Sequence, residues 1–117
     1  MITVYGLKNC DSCRRALAWL KERSTTFDFH DVRETPPDNA LMGAAINKLG
    51  VDTLINKRST TWRQLDDRER DFESVDAAIA LIAKYPTLLK RPLLVVEGAP
   101  VTVGFKASED AWQSLQG

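Results

Sequence analysis

Ile2-Thr3-Val4-Tyr5-Gly6-Leu7-Lys8-Asn9-Cys10-Asp11-Ser12-Cys13 is the stretch on which the reading of the fold turns. Ile2 to Tyr5 alternate apolar and mixed positions as a short strand does, and Gly6 to Asn9 break the pattern. From Asp11 or Ser12 the period changes. Cys13, Ala16, Leu17 and Leu20 recur at helical spacing, while Arg14, Arg15, Lys21 and Glu22 fall on the opposite face. A strand therefore hands over to a helix, and both cysteines of the chain sit at the junction.

Working outward, Thr26 to Val32 read as a second strand with Phe27 and Phe29 on one face. Pro36-Pro37-Asp38 punctuate the chain, with Asp38 placed to cap a helix that carries Leu41, Met42, Ala45 and Leu49 on one side and stops at Gly50. Val51 to Arg70 are polar and irregular, which predicts short helical turns around Leu54, Ile55, Trp62 and Leu65, and the charged stretch from Asp66 to Asp71 reads as a solvated face. A helix follows over Ser74 to Lys84, with Val75, Ala78, Ile79 and Ile82 turned inward and Pro86 ending it. Leu93-Leu94-Val95-Val96 show no alternation, the mark of a central strand covered on both faces. Glu97-Gly98-Ala99 signal a turn, Val101 to Val103 pair back as a hairpin, and Ser108 is placed to cap a last helix presenting Ala111, Trp112 and Leu115. The order β-α-β, helical block, β-β-α predicts an α/β fold with a mixed sheet.

At 117 residues the chain is expected to form one domain, and area scaling has such a domain bury about two thirds of its unfolded surface. Sixteen Lys and Arg balance sixteen Asp and Glu, so the formal net charge is zero. That argues against nucleic acid as a direct partner, and Trp19, Trp62 and Trp112 read as core or rim aromatics with no basic groove around them. No apolar run approaches the roughly 20 residues of a membrane span, and the N-terminus reads straight into structure with no secretory signal, so no membrane partner is expected. Two cysteines three positions apart are too few for a disulfide scaffold, and the reducing cytoplasm is the expected location. With His30 they fall one short of a zinc set, so no metal site is expected. His30, flanked by Asp28 and Asp31, reads as a structural hydrogen-bonding residue.

The chemistry lies in Cys10-Asp11-Ser12-Cys13. A cysteine just before a helix faces free backbone N–H groups and the positive end of the dipole, which favour thiolate over thiol. Cys13, one turn on, lies within reach of a mixed disulfide on Cys10 and could resolve it. Its place on the apolar stripe equally suits a small core residue. Lys8, Arg14 and Arg15 add positive charge, partly offset by Asp11. A phosphatase-type loop would need an arginine six positions after the cysteine, where Ala16 stands.

These residues resemble the ArsC/Spx family, and within it the small ArsC-like proteins of the YffB type. The likeness is carried by Tyr5 to Ala16, Phe29-His30-Asp31, Asn56 to Arg63, Lys90-Arg91-Pro92 and Val103-Gly104-Phe105-Lys106, so it spans nearly the whole chain. It implies a thioredoxin-like sheet built from about 1–33 and 87–117, with a helical insertion over about 36–85, and a cis peptide bond at Pro92. In the family's glutaredoxin-coupled arsenate reductases a cysteine before the first helix attacks arsenate, three arginines hold the oxyanion and glutathione completes the reduction. Cys10 matches the nucleophile, Arg58 and Arg91 match two of the arginines, and the third, after Gly104, is replaced by Phe105 with Lys106 one step on.

The resemblance thus implies Cys10 as nucleophile, with Arg58, Arg91, Lys8, Arg14 and Lys106 as the anion- or glutathione-binding set and Pro92 and Gly104 shaping the site. No cofactor is expected to be bound, glutathione being the co-substrate. Three functions follow: a glutathione-dependent thiol oxidoreductase acting as a monomer with glutathione and glutaredoxin, an arsenate reductase, or a Spx-like regulator that binds RNA polymerase and uses Cys10 and Cys13 as a redox switch. The Cys-x-x-Cys followed by Arg14 matches the Spx-like branch, whereas Lys8-Asn9 and Gly104-Phe105-Lys106 look YffB-like.

Overall fold

In a computed structural model, describing residues 1–70 and 74–115, strand β1 (Ile2–Gly6) leads into helix α1 (Asp11–Glu22) and strand β2 (Asp28–Asp31). Helices α2 (Asn39–Leu49), α3 (Val51–Leu54), α4 (Thr60–Gln64) and α5 (Val75–Lys84) follow, then a 3-10 turn at Pro86–Leu88. The hairpin of β3 (Leu93–Val96) and β4 (Ala99–Val103) and a short α6 (Asp110–Gln113) close the order. The sheet runs β2-β1-β3-β4, with β1 and β2 parallel and the other two pairs antiparallel. It is the mixed, thioredoxin-like α/β sheet that the element order implies.

Period-2 geometry sorts the strand residues between two cores. Ile2, Val4 and Leu94 face α1 and α6, packing with Ala16, Leu20 and Trp112. Leu93 and Val95 face the other way, among Met42, Ala45, Leu54, Ala78 and Ile82 of the helical block. This two-sided burial is why β3 shows no alternation. Leu20 is fully buried, a contribution of about 1.5–3 kcal/mol for a leucine taken out of water.

Helix ends follow local chemistry. Asp38 Oδ1 accepts the Leu41 N–H at 2.8 Å, and Ser59 and Ser74 cap α4 and α5 in the same way. Replacing such a cap by alanine costs about 0.5–2 kcal/mol.

Five details differ from the sequence reading. Strand β2 is shorter than Thr26 to Val32, because its pairing with β1 begins only at Thr3↔Asp28. Val75, at the first position of α5, is 40% exposed, and Leu81 takes the inward place beside Ala78 and Ile82. Ser108 does not cap α6: the Glu109 N–H bonds back to Lys106 O at 3.0 Å, so a turn intervenes and Glu109 takes the capping position. His30 stacks on Tyr5, ring centroids 5.2 Å apart. Of the charged stretch from Asp66, Arg70 folds back onto Trp62 O through Nε at 3.3 Å and is half-buried, while Asp71 lies outside the described residues.

Candidate active site

Cys10 occupies the N-cap of α1 in extended conformation, its carbonyl accepting the Arg14 N–H at 2.9 Å. The thiol is half-exposed. Partial burial opposes ionisation, but the Cys13 N–H and thiol, followed by the Arg91 guanidinium and its charge, favour the anion more, and the Cys10 thiol is held below its ordinary value. Cys13 has the opposite surroundings. It is fully buried, and burial chiefly, helped by the nearby Cys10 sulfur against the Leu7 backbone and the Arg91 charge, pushes its thiol up to about 12.

Gly6 makes room for that buried sulfur. A Cβ at position 6 would stand 2.5 Å from Cys13 Sγ, closer than any normal contact. The last residue of β1 is thus fixed by what α1 lays across it.

Arg91 is held from behind. One terminal nitrogen, Nη1, donates to Thr87 O at 2.7 Å and Leu89 O at 3.1 Å, while the buried Nε has no hydrogen-bond partner. The carbonyls belong to the segment after α5, which a single antiparallel bridge, Ile55↔Leu89, ties to the end of α3. The bridge is locked by Asn56 N–H to Leu88 O at 2.8 Å and Lys90 N–H to Leu54 O at 2.7 Å. Asn56 and Lys90 are thereby brought to the thiol from distant parts of the chain. The Arg91–Pro92 bond is cis, as expected, and Pro92 O accepts the Gly104 N–H at 2.9 Å. Gly104 has φ +80°, a conformation glycine adopts without steric cost.

A cleft of about 380 Å³ opens from Cys10, walled by Ser12, Asn56, Lys90, Arg91, Gly104, Phe105, Lys106 and Glu109. Phe105 meets Trp112 edge-on at 4.9 Å and Trp19 at 5.9 Å, and Trp112 Nε1 donates to Gly104 O at 3.3 Å. At the position where the family resemblance implies an arginine, this chain presents a ring packed against the α1–α6 core. Glu109 Oε2 lies 3.5 Å from Thr102 Oγ1.

Of the residues singled out in the sequence, Cys10, Arg91, Gly104 and Lys106 line this cleft, and Cys13 and Pro92 lie buried in the described structure. Arg58 does not line it. Its N–H bonds to Asn56 Oδ1 at 3.0 Å, and the residue borders an adjoining cleft of about 640 Å³, shared with Asp52, Lys57, Asn56 and Lys90. Arg14 bonds to Asn9 O at 3.1 Å, and neither it nor the exposed Lys8 lines the Cys10 cleft. Asn56 and Lys90 lie inside stretches that carry the family likeness but were not singled out, and Glu109 had no signal at all. Among the described residues no cluster of His, Cys, Asp and Glu is placed to hold a metal, and no helix is long and apolar enough to cross a membrane.

Known proteins share this chain's sequence and fold. The chain is 40% identical over 109 residues to an uncharacterized protein of Haemophilus influenzae, covering 93% of this chain and 95% of that one. It is 32% identical over 111 residues to the global transcriptional regulator Spx of Streptococcus mutans, covering 93% and 80%. Among solved structures, a YffB protein matches with TM-score 0.82 and a possible arsenate reductase from Streptococcus mutans UA159 with TM-score 0.80, each at 33% identity and covering 91% of this chain and 92% of the other. The sequence pattern of the ArsC family matches residues 5–113. The chain belongs to the ArsC family.

Proposed function

We propose that this protein is a thiol oxidoreductase that works with glutathione, Cys10 being the nucleophile and sole essential thiol. The observation that carries this reading is the half-exposed Cys10, its thiolate favoured by Arg91 and the Cys13 N–H, at the head of a cleft whose cations are Lys90, Arg91 and Lys106. A thiolate so placed attacks a disulfide sulfur. Its electron pair forms the new S–S bond, and the old bond's pair leaves with the departing thiolate. A glutathione thiolate then attacks the mixed disulfide and restores Cys10, each cycle consuming reducing equivalents from glutathione. The cations suit glutathione's two carboxylates, which guanidinium and ammonium groups hold by charge-assisted hydrogen bonds. On this reading the protein acts in the reducing cytoplasm as a monomer and exchanges thiols with glutathione, and through it with glutaredoxin. Purified protein assayed with glutathione and glutaredoxin should reduce a disulfide substrate and turn over arsenate poorly, because Phe105 supplies no oxyanion donor. Efficient turnover of arsenate alone would replace the reading by an arsenate reductase.

A second reading, a redox-switched regulator that binds RNA polymerase, is favoured by one feature: the two thiols lie close enough to influence each other's ionisation. Retention of RNA polymerase on immobilised protein, lost on oxidation of Cys10 and Cys13, would favour it.

A further inference from the structure

The cleft at Cys10 adjoins a second one. Asn56 and Lys90 wall both this cleft and the one bordered by Arg58. The nearer opening, about 380 Å³, is at the small end of the roughly 300–1,000 Å³ typical of small-molecule sites. The adjoining one has about 640 Å³. Together the two are bordered by five cations and only two carboxylates, on a chain whose formal net charge is zero.

The carboxylates neutralise little of this charge. Asp52 is committed to Lys57 at 3.2 Å, and Lys57 also lies over the Trp62 ring, 5.8 Å from its centroid. Glu109 lies beside Thr102. Arg58, Lys90 and Lys106 have no side-chain ion pair or hydrogen bond among the described residues. A run of unpaired cations beginning at a reactive thiol attracts a chain that carries negative charge beside its sulfur.

Resting on the oxidoreductase reading, we infer that the joined clefts dock a polypeptide whose cysteine disulfide is flanked by acidic residues. Cys10 reaches the sulfur while Lys90 and Arg58 hold the flanking carboxylates. The Cys10 thiolate attacks the peptide's sulfur, forming a Cys10–S–S–peptide bond, and the former partner leaves as a thiolate with the electron pair. A glutathione thiolate attacks the peptide sulfur, taking the peptide off as its glutathione mixed disulfide and returning the Cys10 thiolate. A second glutathione thiolate then frees the peptide thiol and leaves oxidised glutathione.

Two peptides with one cysteine, flanked in one by glutamates and in the other by glutamines, test this as mixed disulfides with thionitrobenzoate. Release of the coloured thiolate by the full-length reduced protein gives the second-order rate. Charge steering of this kind changes association by factors of ten and more, so at low salt the glutamate peptide should react about tenfold faster. The ratio should fall toward one in about 0.5 M salt, where screening is short-ranged. It should also fall in Arg58→Glu, a change at an exposed position, with folding checked by circular dichroism.

Equal rates for the two peptides, with uncharged hydroxyethyl disulfide still reacting at Cys10, would overturn the docking inference and leave the oxidoreductase reading standing. If Cys10 reacts with none of these disulfides, both fall. Polyglutamate should suppress the acidic-peptide advantage. If a single-stranded oligonucleotide of equal charge suppresses it and polyglutamate does not, the groove is a nucleic-acid site and the inference is wrong.

Discussion

Cys10 and Cys13 stand one helical turn apart in a single motif, yet their surroundings drive them in opposite directions. Cys10 lies at the open end of α1, where the Cys13 N–H and Arg91 outweigh the cost of partial burial. Cys13 lies across Gly6 in the interior, where burial keeps its proton on up to about 12. A Cys-x-x-Cys spacing therefore provides two sulfurs within reach of one another without making them equal partners. Burial, more than spacing, separates a nucleophile from a core residue.

The largest effect expected from this contrast is at Cys10 itself. Cys10→Ser should abolish turnover, because a serine hydroxyl in the same place is almost wholly protonated at neutral pH and forms no disulfide. Residual glutathione-dependent activity above background in that variant would shift the nucleophile to Cys13.

Arg91 carries the next effect. Among the described residues it is the one cation that influences both thiols, and two carbonyls fix it in place. Arg91→Ala should weaken binding of an anionic co-substrate by about 1.5–3 kcal/mol, the scale of a charge-assisted hydrogen bond. It should also move the alkylation midpoint of Cys10 upward, since two of the influences holding it down are lost. Arg91→Lys should recover part of the binding, because an ammonium restores charge without the planar fork. An Arg91→Ala variant with unchanged glutathione KM and unchanged alkylation profile would make Arg91 purely structural.

The sequence made the candidate nucleophile easy to single out, because a strand breaking into a helix is a local event and Cys10 stands at the break. The covered strand was equally plain: Leu93 to Val96 lack alternation because each face meets its own core. The rest of the cleft depends on contacts remote in sequence. Asn56 and Lys90 reach it through the Ile55↔Leu89 bridge, which no local pattern announces. Arg58 matched a family position, but the Asn56 side chain bonds its N–H and the residue borders the neighbouring cleft. Phe105 looked like the loss of an arginine. Only its contacts with Trp112 and Trp19 reveal what the position does instead.

Gly6 sharpens the contrast from the buried side. Gly6→Ala places a methyl 2.5 Å from Cys13 Sγ, and overpacking of this kind costs about 1–3 kcal/mol. Cys13→Ala removes the sulfur and should relieve most of that cost. The double variant should then be more stable than the two single changes add up to, by about 0.5 kcal/mol or more. Urea midpoints of the four proteins give the cycle, and strict additivity would mean that the sulfur is not what excludes a side chain at position 6.

The smallest effect is expected where the motif suggests a large one. If Cys13 resolved the mixed disulfide on Cys10, it would have to attack as a thiolate. A thiol pushed up to about 12 stays almost wholly protonated at neutral pH, and attack rate follows the thiolate fraction. Binding of a disulfide to Cys10 removes the influence of its negative charge, but burial, the chief cause of the shift, remains. External glutathione is not under that constraint and should resolve Cys10 faster. Cys13→Ser should then keep at least about a tenth of wild-type turnover, a barrier change under about 1.4 kcal/mol. Wild-type protein treated with one equivalent of oxidised glutathione should gain the mass of one glutathione. Loss of two protons with no added glutathione, together with a dead Cys13→Ser variant, would show that Cys13 does attack and would turn the pair into the switch that the second reading requires.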